Sequence, residues 1–325
     1  MNMVESIEYL FREGIVGPVS YLFDPGRRIA WVYLLISGIL ACIWYMYVLK
    51  FSFRNSIREI FKKEYWWSRS AKTDYSLFLI CGVCKAIFVI PFLVSGNMLA
   101  YLLSMKMTSW LGTPSIHLSA YVVMYLYPIV LFLVKDFSIY VTHYLLHRNR
   151  YLWEFHKVHH SADTMNPFTL YRMHPVEMIL QNLQGFLAFV LVTGVFYYCN
   201  NTVLVRATIL GVNAFSFVFF VAGANLRHSH VPLRYPKLLE HVFMSPYQHQ
   251  MHHDKKGKFC HSNYGSRLAL WDFMFGTLHT SDELPLEKRQ FGLPGKGLYL
   301  ANNLWGNLVS PFLGCLKLIK RQFSA

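Results

Sequence analysis

The chain has 325 residues, of which 54% are hydrophobic, 17% aromatic and only 15% charged. An average soluble domain carries about 25% charged residues, so this composition excludes a disordered chain and argues against a soluble one. The net charge of +14, from 31 Lys and Arg against 17 Asp and Glu, points to an anionic membrane surface, and no nucleic-acid partner is expected.

In chain order, Met1 to Arg28 lacks a basic start followed by an apolar core, so no cleavable signal peptide is expected. Five stretches then carry about 20 apolar residues each, enough to cross a bilayer. They are Ile29 to Leu49, Leu77 to Leu103 (interrupted by Lys85 and Pro91), Leu111 to Val134, Met178 to Cys199 and Ala207 to Leu226. The short linker Asn200 to Val205 predicts a transmembrane hairpin over 178–226. Aromatics in these stretches, Tyr45, Tyr127, Phe219 and Phe220 among them, read mainly as packing and interfacial belt. Lys50, Arg54, Arg58, Lys62 and Lys63 follow the first span and mark the cytoplasmic side. Alternating crossings return the chain to that side near Asp136 and again at Arg227, with the N-terminus opposite. Cys81-x-x-Cys84 lies in an apolar run without a partner pair, so the cysteines read as small buried side chains. The tail Leu304 to Phe323 reads as an interfacial amphipathic helix.

The histidines are the unusual feature. Twelve of the fifteen fall in two windows, His143 to His174 and His228 to His253, which the topology brings to one membrane face. His143 and His147 are four apart and share a helix face. His156, His159 and His160 repeat the spacings of three and four, as do His249, His252 and His253. Ser245 and Pro246 offer an N-cap and first residue for the last group. Imidazole suits iron, zinc, copper and nickel. A single zinc takes about four ligands, so eight rings fit two ions. No cluster contains the glutamate of His-Glu-x-x-His, and the Glu-x-x-His pairs of soluble di-iron bundles are missing too.

These three clusters resemble the histidine boxes of the fatty acid hydroxylase/sterol desaturase superfamily. Trp153-Glu-Phe-His156, Arg172-Met-His174-Pro175-Val-Glu177, Asn263-Tyr264-Gly265 and Trp271-Asp272-x2-Phe275-Gly276-Thr277 resemble the text around those boxes, over about Asp136 to Thr277. The resemblance implies a membrane-embedded oxygenase with two iron ions, for which zinc can substitute in purified protein. O2 is the co-substrate and a membrane lipid the substrate. The electrons would come from a separate redox partner, such as cytochrome b5 or ferredoxin with an NAD(P)H reductase. The eight box histidines carry over as ligands, with His228 as a ninth. His174 and His230 compete for a further place, as ligand or as a group orienting one. Asp136, Glu154, Glu177 and Asp272 are the carboxylates available to accept from ligand imidazoles. His117, His241, His261 and His279 read as structural or exposed.

The expected fold is an all-α integral membrane protein: a transmembrane helical stem with a cytoplasmic helical cap holding the histidine-rich dimetal site. Residues 1–135 form the N-terminal membrane helices, 136–280 the histidine-box catalytic region including the hairpin, and 281–325 the interfacial tail, all in one structural domain. The expected activity is O2-dependent hydroxylation or desaturation of a sterol, fatty acyl or alkylglycerol type lipid. The expected location is the endoplasmic reticulum in a eukaryote or the inner membrane in a bacterium. Two alternatives are a metal-binding transporter or sensor without oxygenase activity and a metal-dependent membrane hydrolase. A transporter would place ionisable groups near the bilayer midplane.

Overall fold

The computed structural model describes residues 3–93, 95–114, 118–200, 208–209, 212–255, 258–295 and 302–324. The architecture is all-helical apart from a ribbon of two short antiparallel strands, β1 (Thr208–Ile209) and β2 (Val212–Asn213). The principal helices are α1 (Trp31–Val48), α2 (Arg69–Phe88), α3 (Gly96–Leu111), α4 (Ala120–Arg148), α5 (Arg150–His160), α6 (Pro175–Asn200), α7 (Ala214–Val221), α8 (Pro246–His252), α9 (Leu270–Met274) and α10 (Leu304–Phe323).

Three of these, α1, α4 and α6, are long and apolar enough to cross a membrane. Each leaves a stripe of large apolar residues exposed at steps of four. The stripes are Trp31, Leu35, Ile39, Ile43 and Tyr47 on α1, Tyr121, Tyr125, Ile129 and Leu133 on α4, and Leu183, Leu187, Leu191 and Val195 on α6. Water would penalise such stripes, whereas lipid solvates them. The inner faces of α4 and α6 pack through Val123, Tyr127, Leu131, Val192 and Phe196. Tyr127 and Thr193 join their hydroxyls at 2.8 Å across that seam. A Cβ on Gly194 would press on Leu103 and the Ala100 carbonyl, so this glycine sets how closely α3 can approach α6.

Two expected spans are not single helices. The run Leu77 to Leu103 is divided among α2, a turn at Ile90–Leu93 and α3. Pro91 and the Ser95–Gly96 step interrupt it, because proline removes a backbone donor and crowds the preceding turn. The run Ala207 to Leu226 holds only the β-ribbon, the eight-residue α7 and a 3₁₀ turn at Ala224–His228, among its described residues. Eight residues rise about 12 Å, well short of a bilayer. Asn213 starts α7 by capping the N–H groups of Phe215 and Ser216, and Gly223 at φ +94° follows its end. The apolarity of this run comes from burial, since Phe219 and Phe220 pack on Ala30 and Tyr33. Among its described residues the stretch 178–226 thus holds one helix long enough to cross, α6, followed by the short packed helix α7, and not the expected pair of long helices. The third stretch also shifts: its helix begins at Ala120 and continues through Arg148.

The length of α4 positions the histidines. Its 29 residues rise about 43 Å, while about 20 residues suffice to cross. The last turns, with His143 and His147, extend past the apolar run. Asn149 ends α4 and caps α5 by accepting from the N–H groups of Tyr151 and Leu152. Ser245 and Gln248 form a reciprocal capping box on α8, with Pro246 as its first residue.

A fully buried ion pair ties α2 to this region. The Arg172 guanidinium donates to Asp74 at 2.8 Å, to the Val158 carbonyl at 3.0 Å and to the Ser161 hydroxyl at 2.8 Å. Thr169 donates to the other Asp74 oxygen at 2.6 Å. Breaking a buried pair from one side leaves an uncompensated charge. Asp74→Ala is expected to cost roughly 3–5 kcal/mol of stability, read as a lower denaturation midpoint of the purified protein in detergent.

Candidate metal centre

Helical spacing sorts the histidines into two groups. His143 and His147 of α4, His156 and His160 of α5, and His252 of α8 form the first. His159 of α5, His228 of the 3₁₀ turn, and His249 and His253 at α8 form the second. Within each group the ligand-type atoms all lie within 4.8 Å of one another. Each pair spaced by four shares a face and enters one group, while the intervening ring of α5 or α8 turns to the other. All nine histidines expected as ligands are thus brought together.

The ring nitrogens show what the groups require. His143 Nδ1 donates to the Tyr264 carbonyl at 2.8 Å, and His156 Nδ1 donates to Glu177 Oε1 at 2.8 Å. In the neutral rings both Nε2 atoms then carry lone pairs, yet they face each other at 3.1 Å. In the second group His159 Nδ1 donates to the Arg172 carbonyl at 3.0 Å, and its Nε2 faces His228 Nε2 at 3.3 Å. His249 Nε2 meets His228 Nε2 at 3.0 Å and His253 Nε2 at 3.3 Å. His252 donates through Nδ1 to the Ser262 carbonyl at 2.7 Å, and its Nε2 is buried without a partner. Both nitrogens of His147 and Nε2 of His160 are likewise buried and unpartnered. Converging lone pairs in a buried volume fit a cation in each group.

Burial keeps the rings neutral. It pushes His156 down to about 3. His159 is also pushed to about 3, by burial and then by the His156 ring. Burial followed by neighbouring imidazoles holds His160, His228 and His253 well below the usual range. Neutral imidazole is the form that binds metal.

The expected carboxylates divide in their placement. Glu177, at the start of α6, touches His156 directly and also accepts from Gln181 at 2.8 Å. Asp272 accepts from the N–H groups of Tyr264 and Gly265 at 2.8 and 2.7 Å, so it holds the strap whose carbonyl orients His143. A Cβ on Gly265 would meet the Leu268 carbonyl and the Asp272 carboxylate, so only glycine allows this approach. Asp136 touches no histidine: it accepts from the N–H groups of Arg267 and Leu268 and from Trp271 Nε1. Glu154 pairs with Lys157. His174 stands outside both groups, accepting from Val176 N–H and reaching the Leu308 carbonyl of α10. His230 is also outside, stacked on Tyr65 with ring centroids 3.6 Å apart. His241 and His279 bind the Lys237 carbonyl and Glu283, His261 is exposed, and His117 lies outside the described residues. Sequence reasoning missed the carbonyls of Tyr264, Arg172 and Ser262, because any residue supplies a carbonyl.

A cavity of about 460 Å³ adjoins the rings. His143, His156, His159, His228 and His249 line one part of it, and Leu131, Phe132, Ile139 and Leu146 of α4 supply apolar wall.

Residues 128–277 match the fatty acid hydroxylase family. This region belongs to the fatty acid hydroxylase superfamily. The chain is 28% identical over 179 residues to the ornithine lipid hydroxylase OlsE of Rhizobium tropici, covering 55% of this chain and 48% of that protein. It is 27% identical over 156 residues to the alkylglycerol monooxygenase of Caenorhabditis elegans, covering 47% and 27%. The human alkylglycerol monooxygenase is 25% identical over 154 residues, covering 47% and 30%. The matched part thus spans about half or less of these relatives' length. No solved structure matches the chain. The matched superfamily region contains both histidine groups and all three spacing patterns.

The depressed histidines set a pH dependence. His156 and His159 take up protons near pH 6.5 when unfolded but only near 3 when folded. The unfolded state therefore binds more protons between those values, and stability is full above 6.5 and lost as pH falls below it. In metal-stripped protein each ring should cost about 2 kcal/mol on going from pH 7.5 to 5. The denaturation midpoint should fall accordingly, and bound metal should be released over the same interval.

Proposed function

We propose that the protein is an O2-dependent membrane lipid hydroxylase whose two histidine groups hold two iron ions. The observation that carries this reading is the convergence of ring nitrogens within each group, with His143 and His156 facing each other through proton-free Nε2 atoms at 3.1 Å. The hydroxylase and monooxygenase relatives support the reaction class. His143, His147, His156, His160 and His252 would hold one ion, and His159, His228, His249 and His253 the other. Bound iron would supply activation of O2, which an unactivated C–H bond requires and side chains alone cannot provide.

The chain's own residues do the positioning. Tyr264, Arg172 and Ser262 accept Nδ1–H bonds through their carbonyls, and Glu177 through its carboxylate, fixing each ring's tautomer and aiming Nε2 inward. Leu131, Phe132, Ile139 and Leu146 offer the lipid an apolar wall beside the rings and exclude water there. Reducing equivalents would come from a separate redox protein of the cytochrome b5 or ferredoxin type. Lys50, Arg54, Arg58, Lys62 and Lys63 follow α1, Arg148 and Arg150 lie at the α4–α5 junction, and Lys157 lies in the last turn of α5. Asn166, between α5 and α6, donates to the Tyr65 carbonyl, so the segment after α1 packs near the end of α5 that carries His159 and His160. That gathering of basic residues supports a cytoplasmic site.

Two measurements test this reading. Lipid mass spectrometry on membranes expressing the wild type, with and without O2, should show a lipid gaining one oxygen only in aerobic cells. His252→Ala should abolish the product. Metal analysis should find close to two iron per wild-type chain, and Glu177→Gln should weaken metal affinity by about 10- to 100-fold. An O2-independent product with zinc alone would replace the oxygenase reading with a hydrolase.

A further inference from the structure

Three arginines from separate segments gather at the cavity. Arg28 precedes α1, Arg227 lies in the 3₁₀ turn and Arg267 follows the Tyr264 strap. Their guanidinium carbons lie 6.0, 5.5 and 6.0 Å from the centre of one ring, Phe219 of α7. All three side chains line the cavity that the histidines line.

Their hydrogen bonding is incomplete in the same way. Arg28 donates through Nη2 to the Ala224 carbonyl. Arg227 donates through Nη1 to the Ser266 carbonyl and through Nη2 to the Gly265 carbonyl. Arg267 reaches Asp136 through Nη1 at 3.5 Å. In each case Nε is buried and has no partner. Asp136 also accepts from two backbone N–H groups and the Trp271 indole, so its capacity is shared. Glu177 is the only carboxylate lining the cavity among the described residues, and it serves His156 and Gln181. Lys135 lines the same space. Buried cations are normally paired, and an unpaired buried donor is costly. Three guanidinium groups arranged this way, each with a donor left over, match a multidentate anion.

We propose that Arg28, Arg227 and Arg267 form an anion subsite that holds the phosphate or carboxylate of the lipid substrate. The proposal rests on the hydroxylase reading for the word substrate, and it names the substrate class as a lipid with an anionic polar end. A lipid fits better than a free ion because part of the remaining wall, through Leu131, Phe132, Ile139 and Leu146, is apolar.

The test is binding to the purified, iron-loaded full chain in a neutral maltoside detergent without O2. The probes are dodecyl phosphate, dodecanoate, dodecanol and inorganic phosphate. Dodecyl phosphate and dodecanoate should bind at least about tenfold more tightly than dodecanol, a difference that added salt should erode. Arg28→Gln and Arg267→Gln should each weaken the anionic probes by about tenfold and leave dodecanol unchanged, and Arg28→Lys should recover part of the loss. Equal affinity for dodecanol, or salt-independent binding by the wild type, would overturn the subsite, and this comparison needs no variant to fold. Inorganic phosphate binding as tightly as dodecyl phosphate would overturn the lipid assignment in favour of a free anion. Because the readout involves no turnover, loss of the oxygenase reading would leave it standing, and the converse holds.

Discussion

Nine neutral imidazole rings buried within reach of one another constrain everything packed around them. A ring that took up a proton there would repel its neighbours, and a ring free to rotate would trade donor for acceptor. Both outcomes must be prevented from outside the cluster. For His143, His159, His252 and His156 the surrounding fold does so with oxygen atoms placed against Nδ1: the carbonyls of Tyr264, Arg172 and Ser262, and the Glu177 carboxylate. Each acceptor leaves its ring one outcome, a lone pair on Nε2 directed inward.

Those oxygens are in turn held by side chains that hydrogen-bond to none of the nine rings. Asp272 fixes two consecutive N–H groups of the Tyr264 strap, and Asn263 turns that strap with φ +54°. The Arg172 carbonyl is placed because its own side chain is locked on Asp74, Ser161 and Val158. Asp136 anchors the Arg267–Trp271 segment to α4. The polar residues buried around the cluster thus form a second layer that transmits rigidity from α2, α4 and α9 to the rings.

The clustering of the histidines was legible in the sequence, and the division of the apolar runs into helices was not. Steps of three and four between His156, His159 and His160, repeated at His249, His252 and His253, encode helix faces directly. Apolarity encodes less. Phe219 and Phe220 are as hydrophobic as Leu187 and Leu191, yet the first pair is buried against α1 and the second pair is exposed. No property of the side chains separates those fates; Asn213 and Gly223, which bound α7, carry the distinction. Carbonyl acceptors leave no mark on side-chain identity at all. Arg227 stood in the sequence as a marker of topology, and only packing around Phe219 brings it beside Arg28 and Arg267.

The shortness of α7 has a structural consequence for the cavity. A second full span after α6 would have carried Phe219 along the bilayer, with lipid or another helix on each side. Instead Asn213 donates to the Pro128 carbonyl of α4, and Asn213 and Ser216 line the cavity. Meanwhile α4 presents Lys135, Ile139, Thr142 and His143 to the cavity, and α6 presents Glu177, Gln181, Gln184 and Gly185. These positions recur at three and four, as the exposed apolar stripes do along the same helices. Each helix is therefore apolar outward and polar inward at its histidine end. A lipid passing between them would meet apolar wall with its chain and donors with its head. The enclosure that keeps imidazoles neutral also makes cationic side chains in the same space demand an anion.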